Sequence, residues 1–518
     1  MSRTFRIVTT LAAAFLALFA RSSSTAEPAR APVPDIFPAI PEVRAEHGVA
    51  DVVLHVVLDP VSGYPAFSWN ARLGVVPTIR VRPGDAIAMT VSNDMRPFAG
   101  RPDDVNVHFH GLTVSPNAPG DDALTTLAHP GETLHYRVVI PPDHEPGLYW
   151  YHPHAHGETY YDVTNGMSGA IVVEGIQQHL PALASMRERV IVLRDVPTGP
   201  GFVDDDMPMN GMAGMTRPTA IVRSGTGPPC RPEKGLQPTL NRQADAHVGI
   251  APGEAQFFRV VNASAARYYD LSVDDAMLHV VAIDGVPLDA YPGTAAVRTV
   301  QHVLVPPAGR AEFVVTAPNH ATVLRSSCVD TGPLGDANPA VVLAHLVDPV
   351  SASAPAVSSV TPSLPTLRVV GAPLPRNVLS RALPRPAARR TIRFTEDERG
   401  FYIDGKAFAM DGPPAIVARS GTVEEWTIEN ATDESHDFHI HQVHFVTESV
   451  NGARVAERNW ADTVDVPRRT RTRDGRTVPG RVRLLIDFRD PVVRGTFVYH
   501  CHILDHEDRG MMARIRVI

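Results

Sequence analysis

The segment HCHILDHEDRGMM, residues 500–512, contains three histidines, one cysteine and two methionines. A cysteine thiolate, two imidazoles and a weak axial thioether form the ligand set of an electron-transfer blue copper centre. Cys501, His506 and Met511 supply three of these four ligands. His500 and His502 flank the cysteine, and in an extended segment their side chains point to the opposite face. They are therefore free to bind other metal ions beside the thiolate site.

The fourth ligand is predicted from HDFHIH, residues 436–441. Alternation along a strand places His439 and His441 on one face and His436 on the other. We therefore assign His436 to the Cys501 site and the other two histidines to a second metal cluster.

Two further histidine pairs lie far away in the chain, in HFHG and WYHPHAHG. A His-x-His pair aims two imidazoles at one site, because alternate side chains of a strand share a face. A lone histidine is usually an ordinary core or surface residue, but four pairs together with a Cys/His/Met set indicate a metalloprotein. The pairs are His108 and His110, His152 and His154, His439 and His441, and His500 and His502.

Three segments of the chain align without gaps: RPGDAIAMTVSN ending at Asn93, APGEAQFFRVVN ending at Asn262, and RSGTVEEWTIEN ending at Asn430. Such self-similarity indicates repeated domains. Their alternating, β-branched runs between Pro and Gly turn signals predict β-sandwich strands. The sequence therefore predicts an all-β protein with three domains.

The repeats also predict which domains bind metal. Apolar or aromatic residues of the second repeat fall on the three histidine positions of the third, so the middle domain should hold no copper. These residues are Tyr268, Leu271 and Val273. The first repeat has Val105 and Pro153 where the third has His436 and Cys501, so it should lack the blue copper. The eight cluster histidines divide equally between domains one and three, and we expect the cluster at their interface.

With these motifs the sequence resembles the three-domain multicopper oxidases over nearly the whole mature chain. This family includes laccases, bacterial bilirubin oxidases and cuprous oxidases. The resemblance implies three cupredoxin-like Greek-key β-sandwich domains and four copper ions, one of type 1, one of type 2 and two of type 3. The implied type 1 ligands are His436, Cys501, His506 and Met511. The implied type 2 ligands are His108 and His439, and the implied type 3 ligands are His110, His152, His154, His441, His500 and His502.

The same resemblance implies two carboxylates that deliver protons. Asp121 in SPNAPGDD and Glu507 beside His506 lie where the family keeps these groups. Alternation along the chain would turn the Glu507 carboxylate away from the type 1 site and toward the cluster. Alternatively, Asp121 is a turn residue and Glu507 an ordinary hydrogen-bond acceptor. His156 and His444 depart from the family motifs, and we expect them to lie behind the ligands or at the surface.

The implied activity couples one-electron oxidation of a donor at type 1 copper to the four-electron reduction of dioxygen to water. We expect a laccase-like donor, a phenol or an aromatic amine, with oxidation of Cu(I) or Fe(II) as the alternative. The segment DDDMPMNGMAGM offers Met207, Met209, Met212 and Met215 to a soft metal ion, but it also fits a loop that covers an apolar patch. A copper nitrite reductase or a non-catalytic copper-binding relative fits less well, because one chain carries all eight cluster histidines.

The first 26 residues carry Arg3 and Arg6 before an apolar run, which predicts a secretory signal peptide at 1–26. No other stretch is apolar enough to span a bilayer, so we expect an exported protein, periplasmic or secreted, with no membrane partner after cleavage. The formal net charge of -8 gives no reason to expect nucleic-acid binding. We expect a monomer whose partners are dioxygen and a small-molecule reductant or a metal ion.

The predicted domains are 45–177, 186–348 and 390–518, joined before the third by a linker at 349–389 that is rich in Pro, Ala and Ser. A linker of this length lets domain three return to domain one. If Cys501 is a thiolate ligand, Cys230 and Cys328 remain in the middle domain. Export permits a disulfide between them, but the sequence alone does not decide whether it forms.

Overall fold

The computed structural model describes residues 37, 40–96, 103–198, 230, 235–348, 367–369, 371–375 and 377–518. Asp35–Ile518 form one compact unit. No helix among the described residues is both long and apolar enough to cross a membrane. The predicted signal peptide and the methionine-rich segment at 204–215 lie outside the described residues.

The first pair of sheets begins near the N-terminal end of the described chain. Its strands are β1 (Glu42–Arg44), β2 (Val49–Leu58), β3 (Pro65–Trp69), β4 (Arg72–Leu73), β5 (Thr78–Val81), β6 (Ala86–Asn93), β7 (His108–His110), β8 (Thr133–Val139), β9 (Gly147–His152) and β10 (Gly169–Val173). One sheet has the order β1-β5-β10-β9-β7 and the other β4-β3-β2-β6-β8. Helices α1 (Thr159–Thr164) and α2 (Ile176–His179) and a 3-10 helix (Pro181–Ser185) complete this part.

The second pair of sheets follows directly. Its strands are β11 (Arg187–Pro197), β12 (Leu236–Leu240), β13 (Ala246–Gly249), β14 (Ala255–Asn262), β15 (Tyr269–Val273), β16 (Leu278–Ile283), β17 (Val286–Pro287), β18 (Arg298–Val300), β19 (His302–Val305), β20 (Arg310–Thr316), β21 (Thr322–Ser327) and β22 (Val341–Val347), with a 3-10 helix at Leu288–Ala290. The sheets run β12-β11-β14-β20-β16-β17, with β18 also on β16, and β13-β22-β21-β15-β19. Cys230 and Cys328 form a disulfide with a Cα–Cα distance of 5.5 Å.

The third pair of sheets reaches the C-terminal end. Its strands are β23 (Ala388–Asp397), β24 (Gly400–Ile403), β25 (Ile416–Ala418), β26 (Thr422–Asn430), β27 (His436–Ile440), β28 (Phe445–Val450), β29 (Ala453–Arg454), β30 (Trp460–Ala461), β31 (Thr463–Val466), β32 (Thr470–Arg471), β33 (Thr477–Val478), β34 (Gly480–Phe488), β35 (Gly495–Cys501) and β36 (Met512–Val517). The sheets run β24-β23-β26-β34-β28-β29, with β30 also on β28, and β25-β36-β35-β27-β31. Strands β32 and β33 form a separate hairpin, and a 3-10 helix (Pro491–Val493) and α3 (Leu504–Asp508) lie between the last strands.

Each pair of sheets is a β-sandwich, because residues from both of its sheets share one apolar cluster. Strand β2 shows how the sequence directs this packing: Ala50, Val52, Leu54 and Val56 are buried, while Val53 between them is 49% exposed. Full burial of one aliphatic side chain of this size contributes roughly 1.5–3 kcal/mol. The predicted all-β fold is confirmed. The domain limits remain predictions; β1 and β23 begin slightly before two of them because each pairs with a strand of its own sandwich.

The aligned asparagines of the three repeats have one structural role. Asn93, Asn262 and Asn430 end β6, β14 and β26, and all three are fully buried. Each side-chain Nδ2 donates hydrogen bonds to two backbone carbonyl oxygens, at 2.7–3.1 Å, and one of the two lies in the connection that follows the strand. Because a buried amide needs such partners, the repeated asparagine fixes the connection that leads to the metal-ligand positions.

Candidate metal centre

The ligand motifs lie on strand pairs that have the same register in the first and third sandwiches. His108 is opposite His152 across β7 and β9, and His439 is opposite His500 across β27 and β35. All eight cluster histidines are buried, with at most 3% of any one exposed. The two sandwiches therefore contribute four imidazoles each to one enclosed region.

His436, Cys501 and His506 surround one point on the other side of β35. The Cys501 Sγ lies 3.6 Å from the Nδ1 of each histidine, and the two Nδ1 atoms are 3.0 Å apart. The ring of Phe401 stacks on the His506 ring with a centroid distance of 4.0 Å. Two imidazoles and one sulfur, all buried and close together, fit a copper–thiolate site.

Met511 lies in the same apolar cluster as Cys501 and is fully buried. Its backbone carbonyl accepts a hydrogen bond from Cys501 N at 3.0 Å, and its own N–H donates to the carbonyl of His506 at 2.8 Å. The neighbouring Met512 packs instead in a different cluster, against Leu124. This arrangement favours Met511 over Met512, and axial ligation by its sulfur stays a prediction.

Three cluster imidazoles bring their Nε2 atoms close together. The Nε2 of His500 lies 3.4 Å from the Nε2 of His154 and 3.2 Å from the Nε2 of His441. One metal ion between these nitrogens would have three ligands from both sandwiches. A second set of three rings lies beside it, with centroids 5.1–5.8 Å apart: His110, His152 and His502.

Each of the two remaining cluster histidines stacks on a histidine ring of the other sandwich. His108 stacks on His441 at a centroid distance of 3.7 Å, and His439 stacks on His110 at 3.9 Å. His108, His439 and His441 can also bring one ligand nitrogen each to a common point. The structure thus brings together every histidine that the sequence assigned to the cluster.

Backbone carbonyls determine which ring nitrogen of several histidines carries the proton. The Nδ1 atoms of His439, His152 and His500 lie 2.8, 2.7 and 3.0 Å from the carbonyl oxygens of Asp462, Pro153 and Cys501. A carbonyl oxygen only accepts hydrogen bonds, so Nδ1 holds the proton and Nε2 has the free lone pair. Metal-binding histidines usually donate their other N–H in this way.

Several rings of the cluster have buried nitrogens without hydrogen-bond partners among the described residues. The atoms are the Nε2 of His108, His110, His152 and His439, the Nδ1 of His441, and both ring nitrogens of His502. A buried polar atom without a partner costs about 1–3 kcal/mol. Copper ions bound at the four Nε2 atoms and at one nitrogen of His502 would remove that cost there, so the residues present fit the copper centre that the motifs imply.

Burial keeps these imidazoles in the neutral form that binds metal. Desolvation lowers the pKa of His154 and of His500 to about 4. Burial also raises the pKa of the Cys501 thiol well above its usual range. A thiolate at this position therefore needs a cation beside it, which a metal ion provides.

Glu507 lies next to the cluster, but not for the reason expected from the sequence. It belongs to helix α3, so alternation along a strand does not apply; successive residues of a helix are turned by about 100°. Its Oε2 lies 3.1 Å from the Nδ1 of His500, and its Oε1 lies 3.6 Å from the Nε2 of His154. Thr159 Oγ1 donates to the same carboxylate at 3.3 Å. The helical turn separates Glu507 from the thiolate site of His506.

Asp121 is a buried contact of a cluster histidine. Its carboxylate lies 2.9 Å from the Nδ1 of His108 and accepts a hydrogen bond from Phe109 N at 3.0 Å. The side-chain amide of Gln442 also donates to it. Burial raises the pKa of Asp121 to about 7. The N–H of Asp121 donates to the carbonyl of Ser115, six residues earlier, and closes the loop between them.

The two additional histidines lie behind the ligands. His444 is buried, and its Nε2 lies 3.8 Å from the Oδ2 of Asp462. His156 is half-buried, with its ring against Phe408 at a centroid distance of 4.9 Å. Neither belongs to a group of three side chains that could hold one metal ion among the residues the structure describes.

Sequence reasoning missed three ionisable residues at the centre: Asp437, Asp462 and Arg310. Asp437 lies between the ligands of HDFHIH; its Oδ1 accepts a hydrogen bond from His502 N at 2.7 Å and lies 3.4 Å from Cys501 Sγ. Its position inside a ligand motif was a usable signal. Asp462 and Arg310 approach the cluster from segments without a metal motif, so no comparable signal was present.

Comparisons with known proteins agree with this geometry. Three models of multicopper oxidase domains match residues 70–178, 203–326 and 381–518. The chain is 21% identical to the multicopper oxidase mco of Staphylococcus aureus, covering 92% of this chain and 94% of that protein. It is 26% identical to the cell division protein FtsP of Escherichia coli, over 85% of this chain and 83% of that one.

A solved multicopper oxidase of Campylobacter jejuni, described as a metallo-oxidase, has a similar fold. The TM-score is 0.69 with 22% sequence identity, over 93% of this chain and 96% of that one. With family matches spread over most of its length, the chain belongs to the multicopper oxidase family of copper-dependent oxidoreductases.

Proposed function

We propose that this protein is a four-copper oxidase that couples one-electron oxidation of a donor near Cys501 to the reduction of dioxygen to water. The observation that carries the proposal is the complete donor set: eight buried histidines from two sandwiches beside a His/Cys/His group. When bound, the copper ions supply the redox chemistry, taking up single electrons and delivering four to dioxygen.

The proposed ligand assignment follows the contacts between the side chains. Type 1 copper is assigned to His436, Cys501, His506 and Met511. Type 2 copper is assigned to His108 and His439. One type 3 ion is assigned to His154, His441 and His500, whose Nε2 atoms lie closest, and the other to His110, His152 and His502.

The peptide chain itself joins the two sites. Cys501 is bonded directly to His500 and His502, whose imidazoles belong to the cluster. His500 is opposite His439 in the paired strand, so β27 and β35 hold the thiolate on one side and the cluster on the other. This gives a short covalent connection for electron transfer between them.

Two carboxylates contact cluster histidines, which supports a role in proton delivery. Glu507 contacts His500 and His154, and Asp121 contacts His108. Asp508, next to Glu507, accepts hydrogen bonds from the backbone of Gly157 and Tyr160, which fixes α3 against the first sandwich. Reduction of dioxygen to water consumes protons, and we assign their delivery to Glu507 and Asp121.

The donor is proposed to bind at a surface cavity beside the type 1 ligands. This cavity, of about 620 Å³, has a size typical of small-molecule sites. Thr432 in its wall also lies 3.0 Å, through its Oγ1, from the Nε2 of His436. Its charged lining consists of Glu396, Asp397, Glu398, Arg399, Asp433 and Arg469. The wall thus carries more carboxylates than guanidinium groups.

The carboxylates in this wall distinguish neutral donors from positively charged ones. Neutral phenols and aromatic amines remain our proposed donors, since they need only access to the edge of the type 1 site. A second candidate is oxidation of a metal ion such as Cu(I) or Fe(II), because the surplus of carboxylates attracts cations. Steady-state oxygen uptake with a phenol, an aromatic amine, Cu(I) and Fe(II) separates these classes. Activity toward a cation should fall as ionic strength rises, and activity toward a neutral phenol should not.

Copper analysis tests whether the protein is a four-copper oxidase, whichever donor it uses. The loaded protein should bind four copper ions per chain and show both a thiolate visible band and the near-ultraviolet band of a coupled copper pair. A nitrite reductase would lack the coupled pair, and a non-catalytic relative would consume no dioxygen with any donor. A fully loaded protein that fails with the whole donor panel contradicts the proposal.

The proposal also covers where the protein acts and its oligomeric state. We infer that residues 1–26 are removed and that the mature chain acts as a monomer outside the cytoplasm. N-terminal sequencing of protein recovered from the native host, together with light scattering, tests both statements.

A further inference from the structure

The middle sandwich has a buried cation at the edge of the cluster. Arg310, the first residue of β20, is fully buried. Its guanidinium donates to both carboxylate oxygens of Asp462, with Nη1 2.7 Å from Oδ1, and its Nη2 donates to the carbonyl of Asp284 at 2.8 Å. Nη1 also lies 3.4 Å from the Nδ1 of His110. A sandwich for which we propose no copper ligand thus contacts the centre.

Asp462 connects this cation to a second ligand. Its backbone carbonyl lies 2.8 Å from the Nδ1 of His439, and its Oδ1 lies 3.6 Å from the same nitrogen. The carbonyl contact places the His439 proton on Nδ1 and directs Nε2 toward the cluster. The orientation of His439 therefore depends on where the backbone of Asp462 is held.

The segment that contains Asp462 pairs with strands of its own sandwich and is also held by the middle sandwich. Asp284 accepts hydrogen bonds from the backbone N–H groups of Asp462 and Thr463 at 3.2 and 3.3 Å, and from Arg310 N at 2.9 Å. Arg310 and Asp284 thus fix the side chain and the backbone of the same residue. Bidentate pairing by an arginine adds geometric precision as well as energy.

We infer that Arg310 is a positioning residue for the copper cluster, acting on His439 through Asp462. The inference rests on the proposed copper function and adds a role for the sandwich without ligands. The glycine of the HFHG motif supports it independently: a Cβ atom on Gly111 would lie 2.8 Å from Asp462 Oδ2 and would also collide with Arg310. The Arg310–Asp462 pair therefore packs directly against a ligand motif.

If Arg310 had a purely structural role, its substitution would lower stability without a specific effect on copper binding. A second buried arginine provides a matched control. Arg259 in the adjacent strand β14 is also fully buried, and it pairs with Glu312 at 2.8 Å and with Glu188. Replacing either arginine by lysine keeps the charge but removes the planar fork. Both Arg310→Lys and Arg259→Lys should lower stability, but only Arg310→Lys should disturb the cluster.

The experiment measures copper directly in wild type, Arg310→Lys and Arg259→Lys. Each loaded protein is dialysed against graded concentrations of a chelator. The type 2 electron paramagnetic resonance signal, the thiolate visible band and the thermal unfolding of the metal-free protein are then recorded. We expect Arg310→Lys to bind type 2 copper about 10-fold more weakly or worse, with the thiolate band unchanged. Arg259→Lys should retain type 2 copper as wild type does.

Two results would overturn the inference: wild-type affinity for type 2 copper in Arg310→Lys, or an equal loss in Arg259→Lys. If Arg310→Lys fails to fold, Asp284→Asn decides in its place, since it weakens the hold on Asp462 without touching a ligand. A selective loss of type 2 copper in Asp284→Asn supports the inference, and an unchanged signal contradicts it. A wild-type protein without any type 2 signal would contradict the proposed function itself.

Discussion

The backbone N–H of Cys501 donates a hydrogen bond to the carbonyl oxygen of Met511, 3.0 Å away. The nine residues between them include helix α3 and form a loop whose two ends meet at this hydrogen bond. The sulfur of Cys501 and the side chain of Met511 consequently lie in one apolar cluster, and the backbone hydrogen bond does not depend on either side chain. Side-chain substitutions here should change the metal site and leave its frame in place.

Replacing Cys501 by serine tests the thiolate site. Serine keeps the shape and the backbone hydrogen bonds, but a hydroxyl does not replace the thiolate at copper. The visible thiolate band should disappear, while the cluster histidines His500 and His502 retain their copper. Absorption spectra and copper analysis of Cys501→Ser measure both effects. A variant that stays blue would show that another residue forms the coloured site.

Replacing Met511 by leucine tests the axial position. Loss of the sulfur removes a donor that favours Cu(I), yet it also leaves a drier, three-coordinate site that favours the reduced state. We expect the second effect to be larger, so the type 1 reduction potential should rise while the blue colour remains. Redox titration followed by the visible band gives the potential. An unchanged value would mean that Met511 is not a ligand.

Removal of copper should destabilise the protein without unfolding it. Of the proposed ligands, only Cys501 and Met511 belong to a sandwich core, but buried ring nitrogens of the cluster lose their proposed copper partner. A ligand that binds only the folded state adds about 4 kcal/mol at 1,000 times its dissociation constant, so the melting temperature should rise clearly on copper loading. Calorimetry of metal-free and loaded protein checks this. Equal melting temperatures would be incompatible with a tightly bound centre.

Much of the centre was predictable because it is encoded locally. His-x-His pairs on strands give the same-face arrangement directly, and three gapless repeats indicated both the sandwich fold and the empty middle positions. Leu271 and Val273 are buried in the core of the middle sandwich, whereas Tyr268 packs into the apolar cluster of the third. The Cys/His/Met spacing similarly brought its members to one site, because the chain between them is short.

The missed features depend on contacts between distant segments. Arg310 and Asp462 are 152 residues apart, and only the packing of the middle sandwich against the third brings them together. No motif marks either residue. The helix at Glu507 was missed because five residues form too short a periodic pattern to distinguish from a strand. Its carboxylate nevertheless lies beside His500 and His154, since a helical turn also separates neighbouring side chains.

Glu507→Gln separates proton delivery from electron entry. Glutamine keeps the size of the side chain and its contact with Thr159, but it cannot exchange a proton at the position 3.1 Å from His500. Donor oxidation at the thiolate site should therefore stay fast, while steady-state oxygen consumption falls about 10²-fold or more, as expected for a well-placed acid or base.

Stopped-flow bleaching of the visible band without oxygen measures electron entry, and an oxygen electrode measures turnover in the same preparation. Thr159→Val is a matched control, because it removes a hydrogen bond to the carboxylate and leaves the carboxylate itself in place. It should lower turnover much less than Glu507→Gln. Full turnover of Glu507→Gln at full copper content would mean that Glu507 only packs against the cluster. The proton route would then have to pass through Asp121, and Asp121→Asn would carry the loss instead.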